Sequence, residues 1–406
     1  MRQFPFPLPL LLDGSTGVML SAAGMPEGVC TEQWVLENPN VLKEIQRSYV
    51  QAGSRAVYAP TFCANRVKLE GYGLAGHVGE MNRALVALSR EAVGEDILVG
   101  GDMTSLGLFL KPFGESSLDD FISVYREQAL ALEEANVDFF VVETLMSLAE
   151  ARAAFLAIRS VSRKPVFMTV TCDANGRMLT GTSAAAALTV LQGMGVDAFG
   201  LNCSVGPDAM LPVIQEISPY AQIPLIVKPN AGLPVVEAGR TVFHLTPDEF
   251  IAHTHEFVSC GVGIFGGCCG TDCRHITALA RALETVSFQP PACVVPCACA
   301  SEREAFPLRK GMDFGVRIPA SEYLSDDLMD AEESQTDGVW LHIEDQKGLD
   351  AFVENEYLIK TPLRVSASSR ELLFEAFRLY QGRAICAGED WFDELADFGV
   401  VKMESF

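Results

Sequence analysis

The sequence predicts a (β/α)₈ barrel of the TIM type followed by a small C-terminal α/β domain. Three observations predict it. Eight short, β-rich apolar runs alternate with amphipathic helical stretches through roughly the first 290 residues. Those runs read as strands buried on both faces, as in a parallel sheet. The glycine spacing of an open dinucleotide-binding sheet is missing after the first run, where Asp13-Gly14-Ser15-Thr16-Gly17 stands instead.

The eight runs are Leu8 to Leu12, Ala56 to Tyr58, Ile97 to Gly100, Phe139 to Val142, Val166 to Val170, Ala198 to Leu201, Leu225 to Val227 and Val262 to Phe265. Among the helical stretches, Leu118 to Asn136 is the clearest. Its apolar residues recur at helical spacing, Ser117 is placed to cap it, and Asp119 and Asp120 complement the dipole in its first turn. Val41 to Ala52, Val78 to Val93, Leu148 to Val161, Ala184 to Met194, Pro247 to Ser259 and Ile276 to Val286 read the same way. Eight such units fit one barrel, expected over residues 1–288.

The character changes after that. The Pro-, Cys- and Ala-rich stretch from Gln289 to Ala300 reads as the core of a linker, 289–306. Residues 301–406 carry 11 Lys and Arg against 23 Asp and Glu. Strand-like runs at Val339 to Ile343, Leu363 to Ser366 and Arg383 to Ala387 alternate with helical runs at Gly348 to Glu356 and Ser369 to Tyr380. A small acidic α/β domain, or half of a barrel, is expected over 307–406. Nothing inside it names a chemistry.

Composition removes several function classes. A formal charge of −23 argues against non-specific binding to nucleic acid or to an acidic membrane surface, both of which require Lys and Arg. No run is apolar for long enough to span a bilayer. Arg2, Phe4 to Leu12 and Ser21 to Ala23 imitate a signal peptide, but Pro5, Pro7, Pro9 and Asp13 break the pattern. Twelve cysteines without regular spacing point to metal-binding or buried thiols, and a reduced cytoplasmic location is expected. The oligomeric state is not readable.

The polar, glycine-rich and cysteine-rich segments cluster just after the predicted strands, the face that carries the active site in parallel barrels. Asp13 to Gly17 follows the first run and Thr61 to Arg66 the second. Glu143-Thr144 ends the fourth, Asn202-Cys203-Ser204 the sixth, Lys228 to Gly232 the seventh and Gly266 to Gly270 the eighth. Cys203 and the adjacent Cys268 and Cys269 are then brought to one rim, where three thiolates suit zinc. Neighbouring cysteines cannot both face a metal from a regular strand, so the flanking glycines must permit a distorted backbone. Three inert buried thiols, or a vicinal disulfide between Cys268 and Cys269, are the competing readings.

The segments LLDGSTG, TFCANR, VVET, GLNCSVGP, KPNAGLP and FGGCCGT appear in one order over about residues 10–288. Together they closely resemble the homocysteine S-methyltransferase family, in particular the homocysteine-binding module of cobalamin-dependent methionine synthase. The resemblance implies a zinc ion held by Cys203, Cys268 and Cys269, with Asn230 as an oxygen ligand when the substrate is absent. It also implies that homocysteine takes the fourth position through its sulfur. The amino acid's charged ends are assigned by the resemblance to Asp13, Gly14, Ser15, Thr16 and Gly17 and to Glu143. Such a site makes chemical sense, because a free thiol is mostly protonated at neutral pH while a metal-bound one is not.

The chain also departs from that pattern. Cys63 stands where the family often has a small residue and is read as pocket lining, and Pro60 replaces a frequent Asn. His253 and His255 are two residues apart on a helix and face different ways. Cys293, Cys297 and Cys299 lack a further ligand cluster. Residues 361–366 and 380–385 resemble part of a folate-binding barrel but lack its acidic residue, and no cobalamin-binding histidine motif is found, so neither cofactor is expected to bind here. The methyl group is then expected from a separate methyl-corrinoid protein. A small donor of the betaine or S-methylmethionine type, another thiol acceptor, and a zinc-binding scaffold without turnover are the alternatives.

Overall fold

A computed structural model describes residues 4–111, 114–237, 240–387 and 392–402. Arg2, part of the signal-like run, lies outside them. The chain divides into two compact units. One comprises Met1–Leu179, Asp197–Ser218 and Ile223–Ala292, and the other Thr180–Val196, Pro219–Gln222 and Cys293–Phe406.

The first unit holds the barrel sheet. Its strands are β1 (Leu10–Leu11), β2 (Ala56–Ala59), β3 (Leu98–Thr104), β4 (Phe139–Leu145), β5 (Val166–Val170), β6 (Ala198–Asn202), β7 (Leu225–Lys228) and, after a small hairpin of β8 (Val235–Glu237) and β9 (Arg240–Val242), β10 (Val262–Phe265). All eight predicted runs are strands. The order β1-β10-β7-β6-β5-β4-β3-β2 is parallel throughout. The seam between β1 and β2 is bridged by hydrogen bonds rather than by a ladder. Arg55 N–H donates to Leu11 O at 2.8 Å, and Tyr58 N–H donates to the Asp13 side chain at 2.8 Å.

Period-two alternation decides what fills the barrel. Leu10, Leu12, Ala56, Tyr58, Phe139, Val141, Phe167, Ala198, Ile226 and Ile264 form its buried interior, and Phe4, Phe6, Leu8 and Leu98 pack against it. Phe6 meets Phe139 and Phe167 edge-on, and Phe4 stacks on Phe167, so the N-terminal run packs on this aromatic core. Counting two residues on from Val141, Ile226 and Gly100 reaches Glu143, Lys228 and Asp102. The strands' C-terminal ends therefore place a polar layer over an apolar one.

Helices follow the sequence signals closely. Leu118–Glu134 starts in a capping box, with the Ser117 hydroxyl accepting from Asp120 N–H and Asp120 accepting from Ser117 N–H. The stretch expected as one helix over 247–259 is two, Pro247–Phe250 and Thr254–Ser259. A helix at Pro207–Ile217, absent from the sequence reading, begins with Pro207 in its first turn, where the missing N–H is not needed.

In the second unit, β13 (Arg317–Pro319), β14 (Val339–Ile343), β15 (Leu363–Ala367), β16 (Ile385–Cys386) and β17 (Val401–Lys402) form a parallel sheet in sequential order. The stretch read as a linker carries an antiparallel hairpin of β11 (Ala298–Ala300) and β12 (Ala305–Pro307). Helix Ala184–Met194 belongs to this unit. It packs on β11 and β12, and Ser183 N–H, just before it, bonds to Arg303 O at 2.9 Å. Residues 184–191 are buried on every side, as an apolar all-round helix requires.

Candidate active site

The three cysteines singled out from the sequence meet. The sulfur atoms of Cys203, Cys268 and Cys269 all lie within 4.8 Å of one another, the one such metal-competent group among the described residues. None of the twelve cysteines forms a disulfide. Backbone bonds position the sulfurs. Cys203 N–H donates to Lys228 O at 3.1 Å, Cys268 N–H to Pro229 O at 2.9 Å, and Ala231 N–H to Cys269 O at 2.9 Å. The ends of β6, β7 and β10 are thus stitched together around the cluster.

Two local departures from regular backbone make the arrangement possible. Cys203 and Ser204 both have φ 62°, and Thr144 on β4 has φ 63°. Left-handed non-glycine residues cost free energy and concentrate at functional sites. Asn202 restrains Thr144. Its Oδ1 accepts from Thr144 N–H at 2.8 Å and from the Thr169 hydroxyl at 2.8 Å, while its Nδ2 donates to the Thr144 hydroxyl at 2.8 Å. At Gly270, φ is 81° and a Cβ would lie 2.4 Å from Phe243, so only glycine fits the turn after the paired cysteines.

Hydrogen bonding from Cys268 and then Cys269 draws the Cys203 thiol far below its ordinary range, and the same bonds push Cys268 and Cys269 up. Asn230 Oδ1 is buried without a hydrogen-bond partner among the described residues, and the Asn230 side chain also acts on Cys203. A soft sulfur triad with an orphaned oxygen beside it is a donor set that fits zinc.

The predicted substrate residues have well-defined partners. Glu143 Oε2 accepts from Lys228 Nζ at 3.0 Å. Asp13 is fully buried and accepts the Tyr58 N–H, and burial raises its carboxyl to about 6 although Lys228 opposes the rise. Ser15 caps the helix Thr16–Ala22, its hydroxyl accepting from Val18 N–H, and its own N–H bonds to the Thr271 hydroxyl at 3.1 Å. Tyr49 crowds Gly14, where a Cβ would lie 2.9 Å from its ring, whereas Gly17 faces open space.

Two residues that sequence reading passed over complete the layer. Lys228 is buried, and its Nζ lies 3.7 Å above the Tyr58 ring. Burial disfavours its charge, but Glu143, Tyr58 and Asp13 outweigh that and hold its pKa well above the ordinary lysine range. Asp102 is buried on β3, its carboxyl pushed well up by burial and by Glu143. Both were findable as polar residues in register with interior apolar ones. Cys63 lies away from the triad, with its N–H on Glu32 Oε1 at 2.9 Å and its thiol raised to about 12 by burial.

Residues 10–283 match the family model for homocysteine S-methyltransferase. The chain belongs to the homocysteine S-methyltransferase family. It is 34% identical over 293 residues to the methionine synthase of Mycobacterium tuberculosis, and 33% over 290 residues to that of Mycobacterium leprae. Those alignments cover 68% and 67% of this chain but 24% of each relative, so the chain spans about a quarter of their length. The solved homocysteine methyltransferase MmuM from Escherichia coli shares this family's barrel. Its metallated form superposes with a TM-score of 0.57 at 22% identity, covering 67% of this chain and 95% of that one. The apo form gives 0.54 at 22% identity with the same coverage.

Proposed function

We propose that this family member transfers a methyl group to the thiol of homocysteine, giving methionine, at a zinc site made by Cys203, Cys268 and Cys269. The observation that carries the reading is the meeting of three sulfurs within 4.8 Å at the C-terminal end of the barrel. Asn230 supplies the oxygen that completes the donor set in the absence of substrate. Zinc bound there keeps a coordinated thiol deprotonated at neutral pH without redox chemistry. The metallated state of the E. coli relative supports a metal in this fold.

The chain's own residues hold the amino acid. Glu143 faces the α-ammonium from the end of β4, and Lys228 fixes that carboxylate in place beforehand. The segment Asp13 to Gly17 receives the carboxylate near Gly17, where the surface is open. Asp13 belongs to that segment, with one carboxylate oxygen on Tyr58 N–H and the other, Oδ1, buried without a hydrogen-bond partner among the described residues. The donor we propose is a separate methyl-corrinoid protein, on the resemblance to the cobalamin-dependent module.

The test incubates the zinc-loaded chain with homocysteine and, in turn, methylcobalamin, S-methylmethionine and betaine. Methionine formed from methylcobalamin is the expected result. Methionine from a small donor alone replaces the corrinoid protein. No product with any donor, together with no calorimetric binding of homocysteine, overturns the reading.

A further inference from the structure

One side chain joins the two halves of the site. Asn202 ends β6 immediately before Cys203 and is buried. A primary amide has two acceptor and two donor positions, and this one uses all four. Its Oδ1 accepts from Thr144 N–H and from the Thr169 hydroxyl, each at 2.8 Å. Its Nδ2 donates to the Thr144 hydroxyl at 2.8 Å and to Cys268 Sγ at 3.9 Å. The Asn202 backbone carbonyl accepts from the Thr171 hydroxyl at 3.0 Å, which fixes the peptide leading into Cys203.

The end of β4 needs such a partner. On β5, Met168 pairs with Val142 and Val170 with Leu145. Glu143 and Thr144 therefore share the place opposite Thr169, and a bulge of this kind beside an active site re-aims a side chain. Thr144 also has φ 63°, a left-handed conformation that strains a β-branched residue. Asn202 grips that residue by its N–H and its hydroxyl, one position after Glu143. Its remaining N–H lies against a sulfur of the triad. The backbone that carries Glu143 and the charge on Cys268 thus both depend on one carboxamide.

We propose that Asn202 is a positioning residue that fixes the span between the sulfur triad and Glu143, and so selects the acceptor by the distance from its thiol to its amine. The inference rests on the zinc and homocysteine reading and names what sets its selectivity. Glu143 is aimed through Thr144, and Cys268 is held through the N–H···S contact. Homocysteine has one more methylene than cysteine between sulfur and α-carbon. A fixed span therefore lets only one of the two reach the triad with its sulfur and Glu143 with its ammonium. Donation to Cys268 also draws charge off that sulfur, and groups behind metal ligands orient the ligands and tune the metal in this way.

The experiment uses the zinc-loaded full chain and compares homocysteine with cysteine by calorimetry. Zinc affinity is measured by competition with a chelating dye, and the cobalt(II)-loaded chain reports the sulfur-to-metal charge-transfer band. The parent should prefer homocysteine by about ten-fold or more, since only that ligand makes the charge-assisted bond to Glu143. Asn202→Ala should bring the two ligands to within about two-fold and lower zinc affinity roughly ten- to hundred-fold. General damage to the fold would weaken both ligands together and leave their ratio alone. Asn202→Asp keeps an acceptor for Thr144 N–H but puts an oxygen beside Cys268. It should keep the preference for homocysteine, lose zinc affinity and shift the charge-transfer band, and it serves as the test if Asn202→Ala does not fold. Equal affinity for the two ligands in the parent overturns the proposal. So does an unchanged ratio in Asn202→Ala, or parent-like zinc affinity with an unshifted band in Asn202→Asp. If neither thiol binds the zinc-loaded parent, the homocysteine reading itself falls, an outcome distinct from these.

Discussion

Lys228 and Glu143 face each other inside the barrel, Nζ standing 3.0 Å from Oε2 with both groups buried. The same lysine is the cation nearest Asp13 and rests on the ring of Tyr58. One ammonium thus holds together residues from β2, β4 and the end of β1.

Replacing that ammonium leaves two buried carboxylates without their cation. Lys228→Met should destabilise the fold by about 3–5 kcal/mol, the range for breaking a buried pair from one side. Urea unfolding followed by circular dichroism measures it. A loss below about 1 kcal/mol would mean that the pair contributes little to holding the barrel.

Glu143→Gln should behave differently. The amide keeps the shape and still accepts from Lys228, so metal content is expected to stay at the parent level. Homocysteine affinity should fall roughly ten- to hundred-fold, the effect of losing a charge-assisted hydrogen bond of about 1.5–3 kcal/mol. Calorimetry and elemental analysis on the same sample separate the two effects. Loss of metal would move Glu143 from the substrate to the metal.

Cys268→Ser addresses the metal directly. The purified, reduced parent chain should hold about one zinc, and the serine variant should hold almost none after dialysis, because a neutral hydroxyl is a far poorer ligand than a thiolate. Zinc retained in full by the variant would show that the three sulfurs are not the site.

Stability should carry a signature of Asp13 between about pH 4 and 6. Its folded carboxyl sits at about 6 against an ordinary 3.8, held up by burial. The folded chain therefore binds more protons there than the unfolded chain within that window. This group's contribution is full below about 3.8 and is lost as pH rises through about 6, on the order of 3 kcal/mol in all. Asp13→Asn should flatten the fall, as measured by urea unfolding at intervals of half a pH unit. An unchanged slope would remove Asp13 as its source.

A fragment ending at residue 292 tests the helix Ala184–Met194. It lacks β11 and β12, against which that helix packs. The fragment should bind a hydrophobic dye and melt at lower temperature than the full chain. A fragment as stable as the full chain, with no dye binding, would show that the helix is covered without them.

Much of this molecule is legible before any coordinates. Each barrel strand was readable because a strand buried on both faces is a continuous apolar run, and Phe139 to Val142 cannot easily be anything else. Cys268 and Cys269 were readable because their flanking glycines mark distorted backbone at a strand end, and Cys203 because it stands at the end of its own strand. The helix at Pro207–Ile217 was not, since Pro212 lies inside it and reads as a breaker. Lys228 and Asp102 were visible as polar residues in register with interior apolar ones, but their roles were not. Their importance lies in which residues face them in the barrel, and the pair Lys228–Glu143 spans 85 residues of sequence. The hairpin at β8 and β9 is short and its first strand is exposed, so no burial pattern announced it.

The helix Ala184–Met194 also sets a timetable for synthesis. It leaves the ribosome between β5 and β6, yet the hairpin it packs on begins at Ala298, about a hundred residues later. At roughly 5–20 residues per second, its apolar surface waits on the order of 5–20 s for its cover. During that interval the nascent chain presents a bare, alanine-rich apolar helix, the kind of surface on which holding chaperones act.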